Sequence, residues 1–512
     1  MDVLERNGVL ERDGVPERNG VSDKPGGNAA EPVLDAKVSD EKNLSGDDLR
    51  GEELKGEELN GGNSGNERIL FGTDGVRDVA NRGGMTPEMA LRLGRAFVLF
   101  LTERGIPRPK IVVGRDTRRS GAMLEGALSA GMTSAGAEIF LTGVIPTPGV
   151  SFVVRQIDAD GGAMISASHN PAEYNGIKFL DREGFKLSDK SEIAIEEYLG
   201  DNLTDDWRPT GASVGEVHFL HDMANQYAQH LAAHVKGEDL VTSVVFDCAH
   251  GAACGVMTNL IGRLEIPWAL IGAKPDGLNI NEGVGVMHIE HLSRYVVESA
   301  SKVGFAYDGD ADRVLMADSA GRTIDGDIMI WLLARWLMKK GLLGSGAAVT
   351  VMSNMALEEH FSRAGIRLFR CPVGDRYVLE AMQRHGARLG GEQSGHIIAE
   401  PYTHTGDGLC TALMMLSACR DLNEDIDTLV DRFGRYPQRL TNLAVAADRA
   451  VDMRLVNSLT EDARKRMAGK GRIFIRPSGT EPLLRILVEA KDPDLVDETS
   501  RSLTMLLKNH CS

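Results

Sequence analysis

In the run Asp308-Gly309-Asp310-Ala311-Asp312-Arg313, three carboxylates alternate with small residues. Crowding three like charges this closely is unfavourable unless a cation relieves the repulsion. An all-oxygen donor set favours a hard ion, Mg²⁺ over Zn²⁺. An EF-hand does not fit, because its glycine position would hold Arg313 and its closing glutamate position Ser319. The competing reading is an acidic turn between the apolar runs 303–307 and 314–317. A second stretch, Ile165-Ser166-Ala167-Ser168-His169-Asn170-Pro171, drives an apolar run into two hydroxyls and an imidazole, with Asn175-Gly176-Ile177-Lys178 close behind. Strand carboxyl ends in α/β sheets are where ligands bind. A serine there can act as an activated nucleophile, or carry a phosphate whose hard oxygens complete an ion site. A self-capping polar turn accounts for the same composition.

Arg476-Pro477-Ser478-Gly479-Thr480-Glu481-Pro482, with Arg485 beyond it, combines guanidinium groups, hydroxyls and a closely approachable glycine amide. That is the chemistry of a phosphate cradle. Gly390-Gly391-Glu392-Gln393-Ser394-Gly395-His396 offers a carboxylate, a hydroxyl and an imidazole to sugar hydroxyl or amino groups, or is a plain turn. Thr73-Asp74-Gly75-Val76-Arg77 and Arg115-Asp116-Thr117-Arg118-Arg119-Ser120 add cations early in the chain. Arg118 and Arg119 precede an expected helix and suit either an anion site or a solvated surface. His230 and His234 have helical spacing but lack the glutamate of a zincin. Cys248, His250 and Cys254 lack two further ligands, so both groups read as structural.

These residues need a scaffold, and the chain supplies one after a distinct beginning. Residues 1–66 carry 16 acidic against 8 basic side chains, contain no aromatic residue, and repeat Val-x-Glu-Arg-x-Gly and Gly-x-x-Leu patterns. So polar a segment cannot offset its ordering entropy by burial, and disorder is expected. Beyond it, strand and helix patterns alternate. Thr86 and Pro87 open a helix whose face holds Met89, Leu93, Ala96, Phe97 and Phe100. Strands are expected at 110–113, 138–141, 162–166, 243–247, 303–307 and 347–352, with helices at 121–136 and 147–156 and from 252 and 356. That alternation predicts α/β units with parallel sheets. The last stretch, with strands at 440–446, 471–476 and 484–489 and a helix at 493–508, reads as a smaller α+β unit. The expected boundaries are 1–66, 67–205, 206–302, 303–425 and 426–512, with joints in 202–214 and 421–435.

With 42% hydrophobic residues in 512, the chain can build sizeable cores. A net charge of −17 argues against a general nucleic-acid or acidic-membrane binder. The N-terminus is charged from the start, no apolar run approaches the ~20 residues of a membrane span, and six scattered cysteines suit a reducing, cytoplasmic compartment.

In this order, the stretches 71–77, 114–121, 166–171 with 175–178, 308–313, 391–396 and 476–482 resemble the signature motifs of the α-D-phosphohexomutase superfamily, over a length from about residue 68 to the C-terminus. Gln393, Met85-Thr86-Pro87-Glu88, Val351-Met352-Ser353-Asn354 and Thr405-Gly406-Asp407-Gly408 are most similar to its bacterial branch acting on glucosamine phosphates. The resemblance implies four domains around a central cleft and an isomerase that exchanges glucosamine 6-phosphate and glucosamine 1-phosphate through a phosphoserine and a sugar bisphosphate, feeding UDP-N-acetylglucosamine synthesis. It implies that Ser168 is the phosphoserine and that it binds one Mg²⁺ together with Asp308, Asp310 and Asp312. Arg313 would support the metal loop and His169 the serine loop. Arg77, Lys178 and His396 match electrostatic or proton-transfer positions. Glu392 and Ser394 would grip the sugar, and Arg476, Ser478, Gly479, Thr480 and Arg485 the non-reacting phosphate. The expected partner is a hexosamine phosphate, with neither nucleic acid nor membrane. A homodimer is the expected assembly, although no residue fixes it. Glucose or mannose phosphates are the alternative substrates; a sugar phosphatase and a non-catalytic binder are remoter ones. Three positions depart from the superfamily pattern: Ala311 and Asp78, where glycine is usual, and the stretch 282–288.

Overall fold

The structure, a computed structural model, describes residues 70–72, 74–199, 208–234, 243–264, 266–445, 453–477 and 483–511. The tail 1–66, Thr73, Ser478, Gly479 and Thr480 lie outside the described residues. Three α/β units and a smaller α+β unit follow one another along the chain. The first sheet comprises β1 (Val76–Val79), β2 (Lys110–Arg115), β3 (Glu138–Val144), β4 (Gly161–Ile165), β5 (Tyr174–Asp181) and β6 (Val217–Phe219), in the order β1-β5-β4-β2-β3-β6. The second comprises β7 (Val244–Asp247), β8 (Trp268–Ile271), β9 (Val303–Tyr307), β10 (Val314–Asp318) and β11 (Thr323–Ile324), in the order β11-β10-β9-β7-β8. The third comprises β12 (Ala347–Thr350), β13 (Leu368–Cys371), β14 (Leu389–Gly391) and β15 (Ile397–Ala399), in the order β13-β12-β14-β15. The last unit has β16 (Gln438–Ala444), β17 (Gly471–Pro477) and β18 (Leu483–Ala490), in the order β16-β18-β17.

The sheets are mixed where parallel ones were expected. Each of the first three has a parallel centre, but β4 returns as β5, β9 as β10 and β14 as β15, all antiparallel. The connecting loops 166–173, 308–313 and 392–396 are shorter than the dozen or so residues a parallel crossover requires, so the chain must turn back beside itself. In the last unit β17 returns as β18 in the same way. Three chemistry-bearing stretches are thus the tips of hairpins, one in each of the first three sheets, and the fourth stretch begins on β17, which pairs antiparallel with β18. β4 and β9 are buried along their whole length, as central strands covered on both faces must be.

The helix Pro87–Glu103 begins as its sequence dictates. The Thr86 hydroxyl accepts the Met89 N–H at 3.2 Å, and Leu93, Ala96, Phe97 and Phe100 are buried, with Met89 only partly so. Three expected boundaries do not follow the sheets. β6 joins the first sheet beyond the joint placed at 205, because it pairs with β3. The strands β9, β10 and β11, beyond the boundary placed at 302, belong to the second sheet, because β9 pairs parallel with β7. The joint at 421–435 contains the helix Ile426–Phe433, which Asp425 caps and which buries Ile426, Leu429 and Phe433.

One apolar core runs without a break from Val112 in the first sheet through Phe246 and Phe305 in the second to Leu389 and Phe433 in the third. The last unit keeps a core of its own, built on Val456, Ile473, Leu484, Ile486 and Leu503. Among the described residues, polar contacts attach it to the third unit. Glu489 accepts the Met355 N–H at 2.8 Å and the Arg472 Nε–H at 2.5 Å. The Asn354 side chain both donates to the Tyr436 carbonyl and accepts its N–H, each at 3.0 Å.

Candidate active site

The tip of the first hairpin is built to present one hydroxyl. Ser168 is buried and has φ +52°, a left-handed conformation unusual for a residue with a Cβ. Its N–H donates to Ser166 Oγ at 2.9 Å, and the Ser166 hydroxyl donates to Asp116 Oδ2 at 2.7 Å. Arg118 holds the loop from beneath. Its guanidinium pairs with Asp116 at 2.9 Å and donates to the carbonyls of Ser168 (3.0 Å), Asn170 (2.7 Å), Tyr174 (3.0 Å) and Pro171. Neither expectation for Arg118 holds, since it is fully buried and grips backbone instead of anion or solvent. Arg119 is exposed. Burial pushes the Asp116 carboxyl up against the pull of Arg118 and Ser166. Replacing Arg118 by Ala strands that carboxylate and is expected to cost about 3–5 kcal/mol in urea unfolding. Arg118→Lys restores the charge but not the fork, and recovers only part of the loss.

The tip of the second hairpin meets the first. The Ser168 hydroxyl donates to Asp308 Oδ2 at 2.6 Å, and the Asn281 amide donates to the carbonyls of Ser168 (2.9 Å) and Asn170 (3.0 Å). A Cβ on Gly309 would lie 2.5 Å from the Ser168 carbonyl oxygen, so only glycine admits this approach. Ala311 has φ +54° and is fully buried, so the departure from glycine puts an alanine in a left-handed position. Asp308, Asp310 and Asp312 are buried with ligand atoms within 4.8 Å of one another. Asp310 Oδ1 and Asp312 Oδ1 have no hydrogen-bond partner among the described residues. Buried carboxylate oxygens left bare in this way fit a hard cation. Burial, with Asp312 and Asp310 beside it, pushes the Asp308 carboxyl well above the usual range. Thr147, opening the helix Thr147–Gln156, donates its hydroxyl to Asp310 Oδ2 at 2.5 Å and its N–H to the Asp310 carbonyl at 3.0 Å.

Cations rim the triad. Lys178 Nζ lies 2.7 Å from Asp310 Oδ2 and 3.4 Å from Asp312 Oδ2. Burial opposes its charge, but the two aspartates hold its pKa above the ordinary value. Arg77 pairs with Asp74. Arg313 donates from Nη1 to His169 Nδ1 at 3.0 Å. Because a guanidinium only donates, that ring nitrogen carries the lone pair, and the His169 proton sits on Nε2. Burial, then Arg313 and Arg77, depress His169 to about 4, so it is neutral at pH 7. His396, on the third hairpin, lies 3.8 Å from Asp312 Oδ2, which raises its pKa despite burial.

The remaining expected residues fall into two groups. Glu392 Oε1 accepts the Gly374 N–H at 3.2 Å, and Ser394 is exposed. Arg476 and Arg485 are directly opposed across β17 and β18, and burial, then the Arg485 charge, lowers the Arg476 pKa. Like charges facing across a ladder are unfavourable unless an anion sits with them. Sequence reasoning missed Arg118 as a loop clamp, and also Thr147 and Asn281. For Asn281, the unusual stretch beginning at 282 was the available signal.

Three hairpin tips thus bring a buried serine against an aspartate triad, and a pair of opposed arginines stands on the last sheet. The family models described as phosphoglucomutase/phosphomannomutase match alpha/beta/alpha domain I at 68–205, alpha/beta/alpha domain III at 325–436 and the C-terminal domain at 438–503. The chain is 43% identical over 440 residues to the phosphoglucosamine mutase of Bacillus pumilus, covering 86% of this chain and 98% of that one. A phosphoglucomutase/phosphomannomutase family protein of Burkholderia thailandensis shares the fold with a TM-score of 0.74 at 22% identity, covering 87% of this chain and 99% of that one. The Aspergillus fumigatus N-acetylphosphoglucosamine mutase, solved with GlcNAc-6P and magnesium, does so with a TM-score of 0.62 at 17% identity, covering 87% and 96%. The chain belongs to the phosphoglucomutase/phosphomannomutase family and, within it, to the phosphoglucosamine mutases. No helix among the described residues is long and apolar enough to cross a membrane.

Proposed function

We propose that this enzyme moves a phosphoryl group between O6 and O1 of glucosamine phosphate and stores it on Ser168 between turnovers. The observation that carries this reading is the buried Ser168 hydroxyl, 2.6 Å from Asp308 and backed by bare oxygens of Asp310 and Asp312. Those three aspartates and the serine phosphate would hold Mg²⁺, which when bound neutralises charge on the transferred group. In the forward direction the Ser168 Oγ–P bond breaks as O1 of glucosamine 6-phosphate bonds to phosphorus, giving a bisphosphate. After the sugar turns over, O6 loses its phosphoryl to Ser168, and glucosamine 1-phosphate leaves.

The chain's own residues set the rest. Lys178 and Arg77 carry fixed positive charge beside the triad, so their role is electrostatic. His396, held toward its protonated form by Asp312, suits proton transfer at the sugar hydroxyl. Neutral His169 and Arg313 keep the serine and metal loops in register. Glu392 and Ser394 address the sugar, and Arg476 and Arg485, with Ser478, Gly479 and Thr480, take the phosphate that is not reacting. Because the sugar binds in both orientations, that cradle must accept either end. The polar seam that attaches the last unit suits an element that opens and closes. Five buried free cysteines support a reducing, cytoplasmic setting.

The test is a substrate panel on protein whose single phosphate at Ser168 has been verified by intact mass. Glucosamine phosphate is expected to turn over faster than glucose or mannose phosphate by about 10-fold or more, a margin that one well-placed polar contact supplies. A preference for either neutral sugar would overturn the assignment of substrate. Release of free phosphate without isomer would overturn the mutase reaction.

A further inference from the structure

A cavity of about 290 Å³ shares no lining residue with the hairpin tips at 166–173, 308–313 and 392–396. Its walls are Phe152 and Arg155 from the helix Thr147–Gln156, Tyr227 and His230 from the helix Met223–Ala233, and His404 and Asp407 from the segment ahead of the helix Gly408–Leu422. Aromatic residues make up only 5% of the chain, yet rings gather here. Phe152 lies 5.5 Å from Tyr227 and 4.7 Å from His230, centroid to centroid.

The charges around the cavity are equally selective. In a chain of net charge −17, exposed Arg155 forms none of the salt bridges among the described residues. Burial, then His234 and Arg155, lowers the His230 pKa, and burial, then Arg155, lowers that of His404. The lining carboxylate, Asp407, is already engaged, accepting the Cys410 N–H at 2.9 Å and the Tyr227 hydroxyl. The cavity therefore offers the partly exposed Phe152 ring, the Arg155 guanidinium and the His404 imidazole. A flat ring bearing an anionic group satisfies all of them.

Two walls lead to the metal loop. Thr147, the first residue of the helix that carries Phe152 and Arg155, bonds Asp310 through both hydroxyl and amide. Gly408, which follows Asp407, donates its N–H to the Ala311 carbonyl at 3.0 Å. A molecule seated here presses on both supports of the Asp308–Asp312 loop. We propose that this cavity is an effector site for a nucleoside monophosphate, with the base against Phe152 and the phosphate on Arg155, coupled to turnover through Thr147 and Gly408.

Calorimetric titration of the full chain with AMP, GMP and UMP tests it, with adenosine and inorganic phosphate as ring-only and anion-only probes. At least one nucleotide is expected to bind saturably and about 10-fold or more tightly than either probe. Arg155→Glu is expected to weaken that binding by about 10-fold or more while leaving basal turnover unchanged. The nucleotide is expected to shift the kcat or KM of the parent and not of R155E. Phe152→Ala, which keeps Arg155, is expected to weaken the nucleotide but not inorganic phosphate. The proposal is overturned if no nucleotide binds more tightly than inorganic phosphate, if R155E binds as the parent does, or if glucosamine 6-phosphate displaces the nucleotide competitively.

Discussion

Ser168→Ala is expected to lower mutase turnover by at least about 1,000-fold, the scale on which removal of a covalent nucleophile is felt, while the fold survives. The substitution keeps the Cβ and removes one oxygen, whose contacts are Asp308 Oδ2 at 2.6 Å and His169 Nδ1 at 3.3 Å. The left-handed backbone at φ +52° is no worse for alanine, as buried Ala311 at φ +54° demonstrates nearby. The loop remains pinned by Arg118 and Asn281, which grip carbonyls and not the hydroxyl. The variant should therefore stay folded, lose about 1–3 kcal/mol in urea unfolding as Asp308 Oδ2 loses its donor, and show no phosphate by intact mass. Ser166→Ala supplies the contrast. Its hydroxyl bonds Asp116 and the Ser168 N–H, so its loss loosens the loop and lowers turnover without removing the stored phosphate. Turnover by S168A within about 10-fold of the parent would contradict phosphoryl storage at this position.

Asp308→Asn should separate stability from activity. In metal-free protein, burial and the Asp312 and Asp310 charges push the Asp308 carboxyl well above the usual carboxylate range. A carboxyl raised in the folded state favours folding while protonated, and that favour is lost as pH rises through the raised value. At pH 7 with chelator, the parent bears the cost of keeping that carboxyl beside Asp312 and Asp310 away from water, and the neutral asparagine does not. The variant should then melt at the same or a higher temperature than the parent. Lowering the pH should narrow the gap. Mg²⁺ should raise the melting temperature of the parent, since it binds only the folded site, and leave D308N nearly unmoved. Turnover should fall about 100- to 1,000-fold, the usual loss when one charge-stabilising group is removed. A variant that melts several degrees below the parent in chelator would sink the electrostatic account. Parent-like turnover would sink the metal assignment.

The parts of the site carried on continuous sequence were legible. Asp308, Asp310 and Asp312 announced themselves by alternation, and Ser168 by its place after a buried run. Their positions at strand ends followed from apolar periodicity. The partners that hold them were not legible, because each comes from a separate element. Thr147 opens a helix with no special composition, Asn281 sits in a glycine-rich loop, and Arg118 looked like a surface cation. Burial is a property of the assembled fold, so nothing local distinguishes a clamping arginine from a solvated one. Strand direction was equally hidden. Alternating hydrophobicity marks a strand but not its partner, and so β9 read as the start of a new unit when it pairs with β7. The helix Ile426–Phe433 could have been found, since Asp425 followed by Ile426, Leu429, Val430 and Phe433 is a capped amphipathic pattern.

The uneven distribution of apolar packing bears on how the molecule comes apart. One continuous core links units one to three, although the first unit keeps a second core around Phe97 and Phe179, so heat is expected to melt the three together. The last unit is joined by hydrogen bonds of Glu489, Arg472 and Asn354 and keeps its own small interior. Its detachment breaks several charge-assisted contacts. Ionic strength and mild denaturant therefore act on it first, leaving a headless three-unit body.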